Sequence, residues 1–192
     1  MSYTLTFCCF LDRKETFAEF CERLIEKFTT NVKSLIPHNE SSDNKNCKDI
    51  LHFHPNHYLV MKLKSHLISQ YGGTVNMYSK FDDKTILRKI GLCDEFIQVF
   101  GKIDVGEGID WWAITMYEKL RAQMILDQRK LESGGMSMTE FIDNVRKSIE
   151  VWKQIMTILW IEPEGSYLRK IASQTQQEIS KAQDLVLMAQ FF

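Results

Sequence analysis

The sequence predicts an all-α fold built from stacked antiparallel helical hairpins, similar to tetratricopeptide repeats. Three observations lead to this prediction. Apolar residues recur at intervals of three and four positions in several long segments, the spacing that places them on one face of a helix. The chain has only 9 glycines and 3 prolines, and every proline lies between those segments. A helix, turn and helix pattern also occurs twice.

The composition is that of an ordinary globular protein. At 192 residues the chain is long enough for one compact domain or for an open stack of helices. With 44% hydrophobic residues, 26% charged residues and a net charge of -1, it has no charge excess that would attract nucleic acid or an anionic membrane surface. We therefore expect neither nucleic acid nor a membrane as a partner.

The cysteines favour a location inside the cell. There are 5 of them, and no two stand at the C-x-x-C spacing of zinc or redox sites, so we interpret them as reduced thiols. The apolar run near the start, residues 3–11, lacks a basic n-region and is about half as long as a membrane-spanning helix. These features predict a cytoplasmic or nuclear protein.

The N-terminal part of the chain divides into three predicted segments. Residues 1–14, rich in Thr, Phe and Cys, are interpreted as a short extended remnant whose sheet partners would lie outside this chain. Residues 15–36 carry apolar residues at helical spacing and predict a linker helix. Residues 37–49 are polar apart from Pro37 and Cys47, which predicts a flexible loop over residues 37–50.

Three histidines stand close together in the segment HFHPNHY. They are His52, His54 and His57. A zinc site would need a fourth ligand and a shape that directs all four at one point. These histidines straddle Pro55, and the nearest cysteine falls in the predicted loop, so the spacing favours a helix start, for which proline in the first turn is typical. A metal site is the alternative. The helical domain is expected to occupy residues 51–192.

The helix, turn and helix pattern repeats at an offset of 57 or 58 residues. The matching pairs include Ile97 with Ile155, Phe100 with Ile158, Trp111 with Leu168 and Ile114 with Ile171. The turns between these helices are GKIDVGEGID and IEPEGS. Such units bury a continuous core by stacking on their neighbours, which predicts a repeat-like stack of hairpins.

The sequence carries none of the catalytic motifs that we sought. A P-loop, a G-x-G-x-x-G turn, a G-x-S-x-G elbow and an H-E-x-x-H helix are all missing. Acidic residues cluster in the two turns, where paired carboxylates for acid/base chemistry are one interpretation and stabilisation of the next helix N-terminus is the favoured one. We predict no catalytic residue, no metal ligand and no cofactor site in this chain.

The candidate partner-binding residues are one tryptophan and a small basic group. Trp111 and Trp112 are neighbours on a predicted helix and point about 100 degrees apart, so one should be in the core and the other partly exposed. We take Trp112 as the candidate anchor. Four basic residues could form a modest surface that holds an acidic peptide, with a solvated helix face as the favoured alternative. They are Lys62, Lys64, Arg88 and Lys89.

Three stretches carry a resemblance to a known family. They are LHFHPNHYLVMKLKSHLISQYGG, LRKIGLCDEFIQVFGKIDVGEG and WIEPEGS. In kind and order they resemble the C-terminal helical region of the SET and MYND domain-containing (SMYD) protein-lysine methyltransferases, in particular the arthropod-type branch. The resemblance covers roughly residues 51–182, and residues 15–35 are similar to the helix that precedes this region.

The resemblance implies a function for the whole family and a narrower one for this chain. The family transfers a methyl group from S-adenosylmethionine to lysine with a zinc-binding MYND finger and a SET domain. Neither the MYND cysteine pattern nor the SET core can be placed in this sequence, so we expect a fragment or truncated product. The implied function is a non-catalytic module that binds a protein or peptide. The alternative is one part of a methyltransferase whose SET domain is missing from this chain.

Overall fold

A computed structural model describes residues 16–29, 53–72, 78, 80–102 and 109–189, and these form six α-helices. The helices are α1 (Phe17–Thr29), α2 (Tyr58–Gln70), α3 (Asp83–Phe100), α4 (Ile109–Glu132), α5 (Met138–Leu159) and α6 (Tyr167–Met188). No strand occurs within the described ranges, and the all-α prediction is confirmed for them. The predicted extended remnant 1–14 and the predicted loop 37–50 lie outside the described residues.

The chain divides into two compact units, Met1–Gln70 and Tyr71–Phe192. In the first unit, α1 packs on α2. The amide of Phe53 donates a hydrogen bond to the Phe28 carbonyl at 3.2 Å, and the two rings meet edge to face at 5.2 Å. These contacts group α2 with α1, so the units divide after residue 70, whereas the sequence suggested a boundary after residue 50.

The first helix begins at a capping box. The amide and the hydroxyl of Thr16 donate to Glu19 Oε2 at 2.7 and 2.8 Å, and the Glu19 amide donates to Thr16 Oγ1 at 3.3 Å. The helix predicted over residues 15–36 is present as Phe17–Thr29, and residues 30–36 lie outside the described ranges.

The second unit consists of two consecutive hairpins, α3–α4 and α5–α6. Contacts between α3 and α4 join ascending positions on one helix to descending positions on the other. They include Asp83 with Arg129, Lys89 with Glu118 and Phe100 with Trp111. Each of these helices packs on the next, and α4 also contacts α6. This arrangement agrees with the predicted stack of antiparallel hairpins.

Polar side chains cap three of these helices at the N-terminus. Asp82 accepts from the Thr85 amide at the start of α3, Ser137 from the Glu140 amide at α5, and Ser166 from the Arg169 amide at α6. Ser137 and Glu140 stand in the S-x-x-E pattern that is typical of a helix N-terminus.

The two hairpins pack on each other through α4 but have different cores. A large apolar cluster joins α4, α5 and α6 and contains the fully buried Trp152, Ile155 and Leu159. A smaller cluster between α3 and α4 contains Ile86 and Leu126 and lies beside buried charged groups. The second unit therefore has an apolar half and a partly ionic half.

Candidate functional site

Only two of the four basic residues of the predicted partner surface are accessible. Lys64 and Lys89 are buried, so the prediction is wrong for both. Lys62 is exposed on α2, and Arg88 is partly exposed on α3, where it pairs with Glu95 at 3.7 Å. The exposed basic groups therefore belong to different compact units.

Helical spacing explains why the two lysines are inside. Lys89 lies three residues after Ile86 and four before Cys93, and both of these are fully buried. Lys64 lies on the buried face of α2, where its ammonium group donates to the Pro55 carbonyl at 3.0 Å. The sequence thus contained a signal for burial. A lysine at an apolar position of the periodic pattern lies on the same helix face as the buried residues three and four positions away.

Lys89 is the centre of a buried ion cluster. Its ammonium group donates to Glu118 Oε2 at 2.6 Å, to the Tyr78 hydroxyl at 2.8 Å and to the Gly72 carbonyl at 3.4 Å. Arg121 Nη1 lies 3.9 Å from Glu118 Oε1. We call Tyr78, Lys89, Glu118 and Arg121 the buried ion cluster. It brings two cations to one carboxylate, and both cations are buried.

The surroundings of this cluster favour its role in stability. Gly72 adopts φ +100°, and a Cβ atom there would lie 2.6 Å from the Tyr78 ring, so only glycine fits. Burial, and then the Glu118 carboxylate, raise the pKa of Tyr78. Burial also raises the pKa of Cys93 to about 12 and the pKa of Tyr117 to about 12. Tyr78, Cys93 and Tyr117 therefore keep their protons near neutral pH.

The adjacent tryptophans on α4 occupy unlike environments. Trp111 is 53% exposed and stacks on Phe100 with ring centroids 6.5 Å apart and planes at 11°. Trp112 is partly buried and packs against the apolar cluster of α4, α5 and α6. The expected division of the pair is present, but Trp111, and not the candidate anchor Trp112, is the more accessible ring.

The turn between α5 and α6 exposes a second group of large apolar side chains. Trp160 is 49% exposed, Tyr167 69% and Ile161 85%. The Arg169 guanidinium lies over the Trp160 ring, 3.6 Å from its centroid, and donates to the Trp160 carbonyl. This contact fixes the ring orientation without covering both of its faces.

Both exposed groups lie at the same end of the second unit. Successive helices in the unit are antiparallel, so the end of α3, the start of α4, the end of α5 and the start of α6 share one end. We call the four exposed side chains there the aromatic end. They are Trp111, Trp160, Ile161 and Tyr167.

The histidine segment forms a helix start. The His54 Nδ1 atom accepts from the Asn56 amide at 3.1 Å, and His57 Nδ1 accepts from the Leu59 amide at 3.3 Å. The His57 ring stacks on Phe53 at 4.3 Å. Among the residues that the structure describes, no group of three or more His, Cys, Asp or Glu side chains is placed to hold a metal ion. His52 and Cys47 lie outside them.

A cleft of about 470 Å³ runs between α4 and α6 over α5. We call it the α4–α6 cleft. Its apolar lining consists of Met124, Ile125, Leu131, Phe141, Ala182 and Leu185. Its polar lining includes Arg121, Gln128, Glu132, Glu178 and Lys181, with Trp152 at the base. Sequence analysis did not find this cleft, because its lining comes from three helices whose relative rotation the periodicity leaves open.

Comparison with known protein families, with curated proteins and with solved structures finds no match to this chain. Within the described ranges, no helix combines the length and the apolar character needed to cross a membrane.

Proposed function

We propose that this chain is a non-catalytic protein-interaction module, corresponding to the C-terminal helical region of a SET and MYND domain-containing methyltransferase-like protein. The observation that carries the proposal is the aromatic end. Exposed large apolar side chains that gather in one region are typical of surfaces that bind another protein. Tryptophan and tyrosine are also the residue types most enriched among those that dominate binding energy.

The resemblance of three sequence stretches to that family supports the choice of partner. In this proposal the aromatic end contacts the catalytic portion of the methyltransferase or a protein that this portion modifies. Trp160 is a suitable anchor because Arg169 already holds its ring in place, so less side-chain entropy is lost when a partner binds.

The test mixes the purified chain with a separately expressed SET and MYND catalytic portion of a family member and measures binding by calorimetry. We expect association that weakens roughly ten-fold or more when Trp160→Ala and Ile161→Ser are combined, because the apolar contact area is lost. Met138→Ser is the matched control: Met138 is 56% exposed but starts α5, at the opposite end of the hairpins.

Two results would contradict the proposal. One is equal binding by the double variant and the wild type. The other is stoichiometric binding of S-adenosylmethionine or zinc by the isolated chain, which would indicate an enzyme. If the mixture methylates lysine and neither component does so alone, the chain is instead one part of a divided methyltransferase.

A further inference from the structure

We propose that the α4–α6 cleft binds a small amphipathic monocarboxylate, with its carboxylate at Arg121 and Trp152 and its apolar chain along the walls of α4 and α6. This site is separate from the aromatic end and does not depend on the proposed interaction with a protein.

The first support is a pair of buried donors without partners. Arg121 Nη2 and Trp152 Nε1 are both inaccessible to water, and among the described residues neither has a hydrogen-bond partner. Both residues line the cleft. A buried N–H group without an acceptor is costly, and folded proteins satisfy nearly all of them. An acceptor inside the cleft would satisfy these donors once the two side chains turn toward it.

The second support is the charge at this point of the cleft. Glu118 pairs with Arg121 at 3.9 Å and is already held by Lys89 at 2.6 Å, so two cations of the buried ion cluster share one carboxylate. Among the other charged groups of the lining, Lys181 pairs with Glu178 at 3.3 Å. Glu132 accepts from the neutral Gln128 amide at 2.9 Å and keeps its charge, but it lies about three helical turns further along α4 than Arg121. An added carboxylate would balance the excess charge of Arg121.

The third support is the shape and polarity of the rest of the cleft. From Arg121 toward the turn between α4 and α5, the walls are formed by Met124, Ile125, Leu131 and Leu185. A volume of about 470 Å³ is in the range of known small-molecule sites. A ligand with a single charged head and a flexible hydrocarbon chain fits these apolar walls, with Gln128 and Glu132 as polar residues among them.

The experiment uses sodium dodecanoate as the probe, kept below its micelle concentration, with dodecanol as the neutral control. Binding is followed on the ¹⁵N-labelled full chain through the indole N–H resonances of its 4 tryptophans. Trp152→Phe assigns the relevant resonance. We expect dodecanoate to shift the Trp152 resonance in a saturable way, because its N–H becomes a hydrogen-bond donor to the carboxylate. Dodecanol should bind more weakly.

Two variants test separately the contributions of the carboxylate and of the hydrocarbon chain to binding. Arg121→Gln should weaken dodecanoate binding by roughly ten- to a hundred-fold, the loss expected for one charge-assisted hydrogen bond, and should leave dodecanol binding unchanged. Leu185→Gln should weaken both ligands. Leu187→Gln is its matched control on the same helix, since Leu187 is exposed and lies outside the cleft.

The outcomes are decisive in each direction. A Trp152 resonance that does not move with dodecanoate overturns the proposal, and so does equal binding of acid and alcohol. If Arg121→Gln unfolds the chain, the Leu185→Gln and Leu187→Gln pair still tests the cleft, and equal effects of the two would count against it. The Trp160→Ala and Ile161→Ser variant should keep full dodecanoate binding, so failure of this inference is distinguishable from failure of the proposed protein interaction.

Discussion

The two hairpins of the second unit have similar lengths and connections but different interiors. In α5–α6 the fully buried residues include Trp152, Ile155 and Leu159, and the buried Thr175 hydroxyl donates within its own helix to the Ile171 carbonyl. In α3–α4 a buried ammonium group is shared by a carboxylate, a phenol and a backbone carbonyl. A helical position that faces the core can therefore hold a charge when the facing helix supplies the counterion.

The largest expected loss of stability is in the α5–α6 hairpin. Trp152→Ala should lower the free energy of unfolding by about 3–5 kcal/mol, because it removes the largest fully buried side chain and leaves a cavity. The measurement is urea denaturation followed by circular dichroism. Trp160→Ala is the control: this ring is half-exposed, and its removal should change stability much less. Equal losses for the two variants would mean that Trp152 is not enclosed as described.

In the α3–α4 hairpin, loss of the buried carboxylate should destabilise the fold more than loss of one buried cation. Glu118→Gln should cost about 3–5 kcal/mol, because Lys89 and Arg121 would remain buried without their carboxylate. Lys89→Met should cost less, since Glu118 can then turn fully to Arg121. Denaturation of both variants under the same conditions measures the difference. A larger loss for Lys89→Met would show that Arg121 takes no part in balancing Glu118.

Apolar spacing predicted most of the helical architecture. Glycine and capping side chains act within a few residues, so features such as the end of α2 near Gly72 and the Ser137 cap have local sequence signals. The rotation of α3 was readable as well, since Lys89 continues the apolar series, but a lysine at such a position is ambiguous until its partner is known. That partner, Glu118, is 29 residues away in sequence. The accessible tryptophan and the α4–α6 cleft depended in the same way on how separate helices are rotated.

Alkaline pH should lower the stability that the α3–α4 hairpin contributes, because Cys93 lies on α3. Burial raises the pKa of Cys93 from 9.0 to about 12, while Lys89 lowers it and Glu118 and Asp94 raise it. The stability that comes from the protonated thiol is fully present below pH 9 and is lost as the pH rises toward 12, because the unfolded chain releases this proton first. The urea concentration at the unfolding midpoint should fall as the pH is raised from about 9 toward about 12.

Cys93→Ala is the variant that isolates this thiol. It lacks the titrating group, so its urea midpoint should fall less steeply with pH than that of the wild type, although Tyr78 and Tyr117 still contribute to the decline. Parallel curves for the two proteins would show that the thiol is not held protonated by the fold.

The smallest expected effects are at the helix caps, where the hairpins differ again. Ser166→Ala should lower stability by about 0.5–2 kcal/mol at any pH, because its hydroxyl does not titrate in the relevant range. Asp82 caps α3 with a carboxylate, and its hydrogen bonds from Thr85 lower its pKa below the ordinary value of 3.8 for an aspartate. Its contribution is present above that value and is lost as the pH falls through the lowered pKa. Asp82→Ala should therefore destabilise the chain at neutral pH and match the wild type in strong acid, whereas the Ser166→Ala deficit should persist there. A pH-independent deficit for Asp82→Ala would mean that its hydrogen bond does not require the charge.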